Sequence, residues 1–579
     1  MCAFVVASCG SSDDDTTEPD DNVTTTDNGG TTTEPDDDGT TTEPDAGGTT
    51  TEPDDSGTTT EPDDGGTTTE PPGDSIEPAD GGNMWDPSRP HEGSGTVRVR
   101  LVSDWGSSLL PPTRAINPAT YLMNALYDRL LVNGPDGALV PWLAVSWEVS
   151  PTEIVFTLRD DATCADGTPV TATVVADSIN FWVDPATESA WVGNLGPGPV
   201  SALADDSANT VTVTSGTPFN ELLQGFAISE AGIVCPAGLV DGADDSLTAF
   251  GSGPYVLTAA THDQGATLTR REDYTWGPFG LTSADLPEQL EFVVVNEEST
   301  AANLLETGEL DYGYVRPPDA ERLIADGDLN AVEHPSYGSS MLSFRLDRPA
   351  WQDPEVRRAL LSAIDPMVWT ELEHGTLGRY VPGYFGEGMD CYADLTEFLP
   401  TPDPQAAQDA LVSLGWTLDG DKLVKDGEQM SILFLGSLEQ GVAAEYVQSV
   451  YESIGISVEL RIIEFTGFGA ALREGDWDMA TPQYSGSTNP QSMARFMTPT
   501  GPNLSALDDE QLTALAEEAL SAPLEERCEP WREFEEYFAT QWYGIPVGQR
   551  AFMWFDHGDV QGYSNGPMFQ SWSIMRLAE

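Results

Sequence analysis

The most pronounced shortage in this 579-residue chain is of positive charge. It has 24 lysine and arginine residues against 97 aspartate and glutamate residues, which gives a formal net charge of −73. The only lysines are Lys422 and Lys425. Because such a surface repels phosphate backbones, the composition argues against nucleic acid as a partner. Two explanations stay open: solubility in a salty or cation-rich medium, and attraction of a cationic ligand, which salt screens beyond roughly 8–10 Å.

The sequence also lacks the cysteine and histidine spacings of common metal sites. It contains no C-x-x-C and no H-E-x-x-H. The five histidines are scattered along the chain: His91, His262, His334, His374 and His557. Carboxylate pairs are so numerous that they single out no acid–base catalyst. We therefore expect no catalytic residue, no metal and no cofactor.

No apolar run reaches the roughly 18 residues that a membrane-spanning helix requires. The chain starts with a short apolar stretch, MCAFVVASC, in which Val6-Ala7-Ser8-Cys9 resembles a lipobox, where a small residue precedes a lipidated cysteine. A leader of this kind normally begins with positive charge, so we expect the true translation start to lie upstream. The prediction is a soluble extracytoplasmic body, in the periplasm or on the outer face of the cytoplasmic membrane, anchored only by lipid on Cys9.

Residues 10–95 are of low complexity. A nine-residue unit recurs in register, as TTTEPDDDG from Thr31, TTTEPDAGG from Thr40, TTTEPDDSG from Thr49 and TTTEPDDGG from Thr58. With almost no apolar residues and dense negative charge, this segment cannot offset the entropy of ordering. We predict a disordered, extended acidic linker.

From Thr96 the pattern changes to alternating strand-like and helix-like stretches, which predicts an α/β body. TVRVRLV, from Thr96, alternates as a strand does. Asp353-Pro354 and Asp403-Pro404 predict helix starts, with proline in the first turn. Asp419-Gly420-Asp421 and Asp426-Gly427 predict two hairpin turns.

Within this body, several blocks form a recognisable series. The first has the pattern P-x-L-A-x-S-W, then F-x-L-R, then D-G-x-P, carried by Pro141, Leu143, Ala144, Ser146, Trp147, Phe156, Leu158, Arg159, Asp166, Gly167 and Pro169. Further blocks begin at Gly251, Leu290, Leu342, Asp403 and Ile454. Together they resemble, in order, the family 5 (peptide/nickel-type) extracytoplasmic solute-binding proteins of ABC transporters.

The resemblance implies a periplasmic-binding-protein-like α/β fold of two lobes (class II type) with an extra inserted N-terminal subdomain. We expect lobe I to comprise residues 96–140, 250–345 and 545–579. Subdomain II is expected at 141–249, and lobe III at 346–544.

The implied function is capture of a small solute, an oligopeptide or related molecule, in a cleft between lobes. The monomeric protein would deliver it unchanged to ABC permease subunits. Two alternatives stay open: a surface lipoprotein hydrolase that uses a carboxylate pair, and a binding protein that signals to a receptor.

Peptide-binding relatives carry an aromatic residue and an aspartate soon after a G-x-F-D-M strand. Here Tyr484 takes the aromatic position and Ser487 falls where the aspartate is expected. A buried ammonium group without a paired anion is costly, so sugars, metal chelates and other solutes stay open beside peptides.

Arg345 is expected either to pair with a ligand carboxylate or phosphate, or to meet one of the protein's own acids. The predicted ligand-binding residues are Tyr121, Tyr337, Arg345, Tyr384, Tyr484 and Ser487.

If Cys9 carries lipid, four cysteines remain in the folded body: Cys164, Cys235, Cys391 and Cys528. An even number suits an oxidising compartment. Four cysteines allow three pairings. We favour Cys164–Cys235 and Cys391–Cys528, because each pair then lies within one expected region.

Overall fold

The structure is a computed structural model that describes residues 91–578 except 107, 112–116, 135–137, 190, 241–249, 336, 483–488, 500–501, 559 and 562–574. The described residues lie in one compact unit that begins at Ser75. The predicted anchor Cys9 and nearly all of the predicted linker fall outside the described residues. No helix in the described part of the chain has the length and apolar character needed to span a bilayer.

Lobe I is built on a seven-stranded sheet. From edge to edge its strands are Asn330–Pro335, Ala551–Asp556, Tyr312–Val315, Thr96–Leu101, Gln289–Val294, Gly265–Arg270 and Tyr255–Thr261. The predicted strand at Thr96 is confirmed, and it pairs in parallel with its neighbour, with Val97 opposite Leu290. Both side chains are fully buried, since alternate positions of a central strand face the core. The helices of this lobe are Asn117–Leu126, Glu298–Glu306 and Asp319–Asp326.

Subdomain II contains a four-stranded antiparallel sheet. Its strands, in spatial order, are Ala144–Ser150, Glu153–Leu158, Thr210–Ser215 and Val200–Asp205. One helix, Ala172–Val183, packs against the last of these strands. The helix begins after Thr171, whose hydroxyl accepts a hydrogen bond from the backbone amide of Val174, and this satisfies an amide that the helix itself cannot.

Lobe III is built on a five-stranded sheet. Its strands, in spatial order, are Ser457–Ile463, Ser431–Ser437, Met479–Ala480, Ser340–Phe344 and Gly544–Gly548. Its helices are Pro354–Leu361, Pro366–His374, Pro404–Ser413, Gly441–Ser453, Phe465–Glu474, Gln491–Ala494, Glu510–Ser521 and Cys528–Thr540. The two predicted helix starts are confirmed, because Asp353 and Asp403 each accept a hydrogen bond from a first-turn amide.

Three small sheets complete the described strands. They are formed by His91–Glu92, Arg576–Ala578 and Val560–Gln561, by Leu131–Asn133 and Leu139–Pro141, and by Thr417–Asp419, Lys422–Lys425 and Glu428–Gln429. The two predicted hairpin turns are confirmed, since they connect the strands of the last sheet. Gly420 and Gly427 adopt φ values of 67° and 87° there, a left-handed conformation that glycine reaches without strain.

Two crossovers join the large sheets in the described part of the chain, one between Pro335 and Ser340 and one between Gly548 and Ala551. The expected boundaries put Ser340–Phe344 and most of Gly544–Gly548 in lobe I. In the structure these strands pair with each other in the lobe III sheet, with Leu342 opposite Ile545. Both strands are buried throughout, so burial of their side chains does not distinguish one sheet from the other.

Disulfides join Cys164 to Cys235 and Cys391 to Cys528, the pairing that the sequence favoured. The first lies within subdomain II and the second within lobe III. They link residues 71 and 137 positions apart, so each closes a long loop and restricts the unfolded chain. Neither disulfide connects the two lobes.

Candidate functional site

A cavity of about 300 Å³ lies where lobe I faces lobe III, beside the second crossover. Its lining comes from both lobes: Glu298, Tyr314, Arg316, Pro317, Glu373, His374, Leu438, Glu439, Arg550 and Ala551. Ligand pockets commonly measure about 300–1,000 Å³, and this volume corresponds to roughly ten water molecules of the liquid. The cavity therefore suits a small solute.

The lobe I wall forms at one edge of the seven-stranded sheet. Three neighbouring strands run in parallel there, Gln289–Val294, Thr96–Leu101 and Tyr312–Val315. Their carboxyl ends meet at the same edge, so residues that follow them are brought together. Glu298 begins a helix after the first of these strands, and Arg316 directly follows the last.

A buried ion pair supports this wall. Arg100, whose side chain is fully buried, donates to both carboxylate oxygens of Glu298, at 2.8 and 3.1 Å. Glu298 also accepts from the backbone amide of Arg316 at 3.0 Å and from its Nε at 2.7 Å. Burial raises the pKa of Glu298, but the two arginines outweigh burial and leave that pKa below its ordinary value. Glu298 therefore stays ionised and orients Arg316.

A carboxylate from lobe III reaches across to the arginines at the cavity. Glu439 lies on the turn after the strand Ser431–Ser437, and one of its oxygens accepts a hydrogen bond from Arg316. Its other oxygen accepts from Nη2 of Arg550 at 2.9 Å. Burial raises the pKa of Glu439, but Arg550 and Arg316 together leave it below its ordinary value. Glu439 is thus a charged link between the lobes.

Two polar groups at the cavity lack hydrogen-bond partners in the structure. The hydroxyl of Tyr314 and Nε2 of His374 are both buried without a partner, on side chains that line the cavity. Nε2 of His374 lies 3.3 Å from the Glu373 carboxylate without forming a hydrogen bond. Burial lowers the pKa of His374, so its ring is neutral near pH 7. Buried polar groups are normally satisfied, and these two can therefore serve a bound solute.

Within the described residues, no group of three or more histidine, cysteine, aspartate and glutamate side chains is placed to hold a metal ion. The cavity acids Glu298 and Glu439 pair with arginines, and the third cavity acid, Glu373, lies beside His374.

Three of the predicted tyrosines lie within the described residues. Tyr121 is buried, with its ring centroid 5.9 Å from that of Trp554. Tyr384 is buried as well, and its hydroxyl donates to the carbonyl of Gly544 at 2.8 Å. Tyr337 is half-buried in the first crossover.

Arg345 pairs with an acid of the protein itself, which is the second of the two possibilities expected from the sequence. Its guanidinium donates to both oxygens of Asp347, at 3.1 and 3.0 Å, and to the carbonyl of Leu504 at 2.9 Å. It meets an acid of the protein itself. Tyr484 and Ser487 lie in the segment 483–488, outside the described residues.

Among the described residues that line the cavity, none is one of the predicted binding residues. The sequence carried one usable signal for the observed site. In a chain so poor in cations, Arg316 directly follows one strand of lobe I and Arg550 directly precedes another, and strand ends are where α/β proteins place binding groups.

Comparison with known proteins gives a consistent result. The family model for bacterial extracellular solute-binding proteins, family 5 Middle, matches residues 138–503. The periplasmic murein peptide-binding protein MppA of Escherichia coli strain K12 is 25% identical over 431 residues, which cover 69% of this chain and 78% of that protein. The nickel-binding periplasmic protein of the same strain is 25% identical over 389 residues, 63% of this chain and 72% of that protein.

The fold agrees with a solved structure. NikA from Brucella suis, in complex with Fe(III)-EDTA, matches with a TM-score of 0.73 at 22% identity, covering 83% of this chain and 100% of the NikA chain. The expected two-lobe fold with its inserted subdomain is thereby confirmed.

Proposed function

The chain belongs to the bacterial extracellular solute-binding proteins of family 5, and from this premise we propose that it captures a small solute between lobe I and lobe III and delivers it to an ABC importer permease. The observation that carries this proposal is a cavity whose walls come from both lobes. A solute held there contacts both lobes at once, so it favours the closed arrangement over an open one. Capture of this kind changes the conformation of the protein and leaves the solute intact.

The cavity also bears on the size of the solute. The relatives named above include a murein peptide-binding protein and a nickel-binding protein, so the family as a whole does not identify one ligand. About 300 Å³ has room for a molecule of amino-acid to dipeptide size, given roughly 30 Å³ for each water displaced. We therefore propose a solute at the small end of the peptide-like range.

We further propose that the protein works outside the cytoplasm as a monomer, anchored by lipid on Cys9. Both disulfides suit an oxidising compartment. A flexible chain of the length of the segment 10–95 spans on the order of 50 Å. Such a tether would let the binding lobes reach a permease while staying close to the membrane.

A thermal-shift screen of the full chain tests the proposal. The screen covers free amino acids, dipeptides, sugars, polyamines and metal chelates. A solute at 100 times its Kd adds about 2.7 kcal/mol to the free energy of unfolding, which raises the Tm of a protein this large by about 3 °C. We expect at least one class to produce that shift.

A pair of arginine variants assigns the shift to the cavity. Arg316→Gln removes a cavity cation and is expected to abolish the shift. Arg532→Gln removes a half-exposed arginine that pairs with Glu536 on the helix Cys528–Thr540, and it should leave the shift unchanged. If no solute class moves the Tm of the wild-type protein, the proposal fails. If a solute is consumed, the hydrolase alternative replaces it.

A further inference from the structure

The carboxylate of Glu439 lies in the position that a bound anion between the lobes would take. It projects from lobe III onto two arginines on the other side of the cavity, with one oxygen directed at Arg316 and the other at Arg550. This is the two-pronged arrangement with which arginines bind a carboxylate ligand. In the structure, the protein itself supplies the carboxylate.

The two arginines are held in place independently of Glu439. Nε of Arg316 donates to Glu298, which is itself paired with the buried Arg100. The guanidinium of Arg550 lies over the ring of Phe552, 5.6 Å from its centroid. Because other contacts orient both cations, they form a preorganised anion site whether or not Glu439 is present.

Glu439, by contrast, is on a turn that does not depend on its side chain. The turn Leu438–Gln440 is held by Gln440, which accepts from the amide of Ser437 at 3.1 Å and donates to the carbonyl of Thr481 at 2.7 Å. Leu438 is 56% exposed, and the Glu439 side chain is 23% exposed. The Glu439 side chain can therefore rotate into water while the turn stays in place.

If a carboxylate of the solute replaces the carboxylate of Glu439, Arg316 and Arg550 still have an anion to pair with. This matters because the two arginines lose an ion-pair partner if the incoming group is not an anion, and that loss lowers the binding free energy. A solute that carried an amide or hydroxyl in place of the carboxylate would displace Glu439 only at that cost. The hydroxyl of Tyr314 and Nε2 of His374 lack partners beside the same arginines, and they offer the remainder of a solute further hydrogen bonds.

We infer that the cavity takes a small solute bearing a carboxylate, and that this carboxylate replaces Glu439 on Arg316 and Arg550. The inference rests on the proposed solute-binding function and adds the chemical class of the ligand. In the absence of solute, Glu439 acts as an internal competitor. If Glu439 instead acted as a latch that holds the lobes together around the solute, its removal would weaken solute binding, whereas removal of a competitor strengthens it.

Isothermal titration calorimetry on the full chain separates the two roles. The probes are dipeptides, amino acids and small mono- and dicarboxylates, each compared with its own carboxamide. We expect a carboxylate to bind and its carboxamide to bind at least about tenfold more weakly. Glu439→Gln should tighten binding of that carboxylate by about fivefold, since it removes a competing, partly exposed ion pair. Arg550→Gln should weaken binding by more than about tenfold.

The matched control is Glu452→Gln, which removes an exposed glutamate of the helix Gly441–Ser453 that follows the same turn; it should bind like the wild type. Weaker binding by Glu439→Gln, or equal binding of acid and carboxamide, overturns the inference. If only sugars or polyamines bind in the thermal-shift screen, the inference fails while the proposed function stands. If no solute of any class binds, both fail.

Discussion

The buried Asp128 within lobe I and the partly exposed Glu439 between the lobes have pKa values shifted in opposite directions. Asp128 is fully buried and accepts hydrogen bonds from neutral donors of its own lobe, Tyr274 at 3.0 Å and Trp276 at 2.7 Å. Burial raises its pKa to about 6. Glu439 faces arginines across the cavity, and its pKa lies below the ordinary value. Asp128 is therefore held by neutral donors of one lobe, whereas Glu439 is held by charged, partly exposed arginines across the cavity.

The disulfides follow the same division, because each closes a loop inside one region. A protein that opens and closes needs lobes that stay folded while the contacts between them change. Strong bonds within lobes and weaker ion pairs between them meet that need. The predictions below test this difference by breaking one kind of contact at a time.

The largest effect is expected from the lobe III disulfide. Replacing both Cys391 and Cys528 with alanine releases a loop of 137 positions, and loop entropy sets the loss in the free energy of unfolding at about 5 kcal/mol. Urea unfolding under non-reducing conditions measures it. A loss below about 1 kcal/mol would show that lobe III does not depend on its crosslink.

The second effect concerns pH and Asp128. Because its pKa is raised from 3.8 to about 6 in the folded protein, the folded state binds a proton more readily than the unfolded state. The stabilisation from this group is therefore complete below about pH 4 and is lost as the pH rises through about 6, a change of about 3 kcal/mol. Asp128→Asn does not titrate, so the stability of the wild type relative to this variant should fall by that amount between about pH 4 and pH 7.

Urea unfolding of both proteins across this pH range provides the measurement. Asp160→Asn, at an exposed position, is the control and should follow the wild type at every pH. A difference between wild type and Asp128→Asn that stays constant with pH would mean that Asp128 keeps an ordinary pKa in the folded protein. The contrast with Glu439 would then disappear.

The smallest effect on stability is expected at Glu439. Partly exposed ion pairs contribute about 0–1 kcal/mol, so Glu439→Gln should change the free energy of unfolding by less than about 1 kcal/mol. The difference should shrink further in about 0.5 M salt, which screens such pairs. A loss above about 2 kcal/mol would show that Glu439 is needed for the stability of the fold. The control is Glu452→Gln, which gives the effect of removing an exposed glutamate of the adjacent helix.

Features that depend on neighbouring residues were predictable from the sequence. The helix starts at Asp353 and Asp403 and the turns at Gly420 and Gly427 are decided by hydrogen bonds and dihedral angles a few residues apart. The order of the family blocks predicted the two lobes and the inserted subdomain. The expected lobe boundaries lie a few residues from the observed crossovers, because a buried strand such as Ser340–Phe344 has the same hydrophobic pattern in either sheet.

The candidate site was not predictable in the same way. Tyrosine is a residue type that often lines binding sites, yet Tyr121 and Tyr384 are buried against Trp554 and Phe538. A tyrosine suits a core and a ligand site equally well, because one end of it is apolar and the other polar. Only the surroundings of each ring in three dimensions distinguish the two roles.

By itself, then, the sequence determined the family, the architecture and the local helix and turn signals, since these follow from periodicity and short-range hydrogen bonding. Tertiary structure alone decided which charges meet. Glu439 is 123 positions from Arg316 and 111 from Arg550. The sequence alone does not show which of its 97 acidic residues pairs with these arginines. Ion pairing falls off with distance in space, and that distance exists only once the two lobes have folded and face each other.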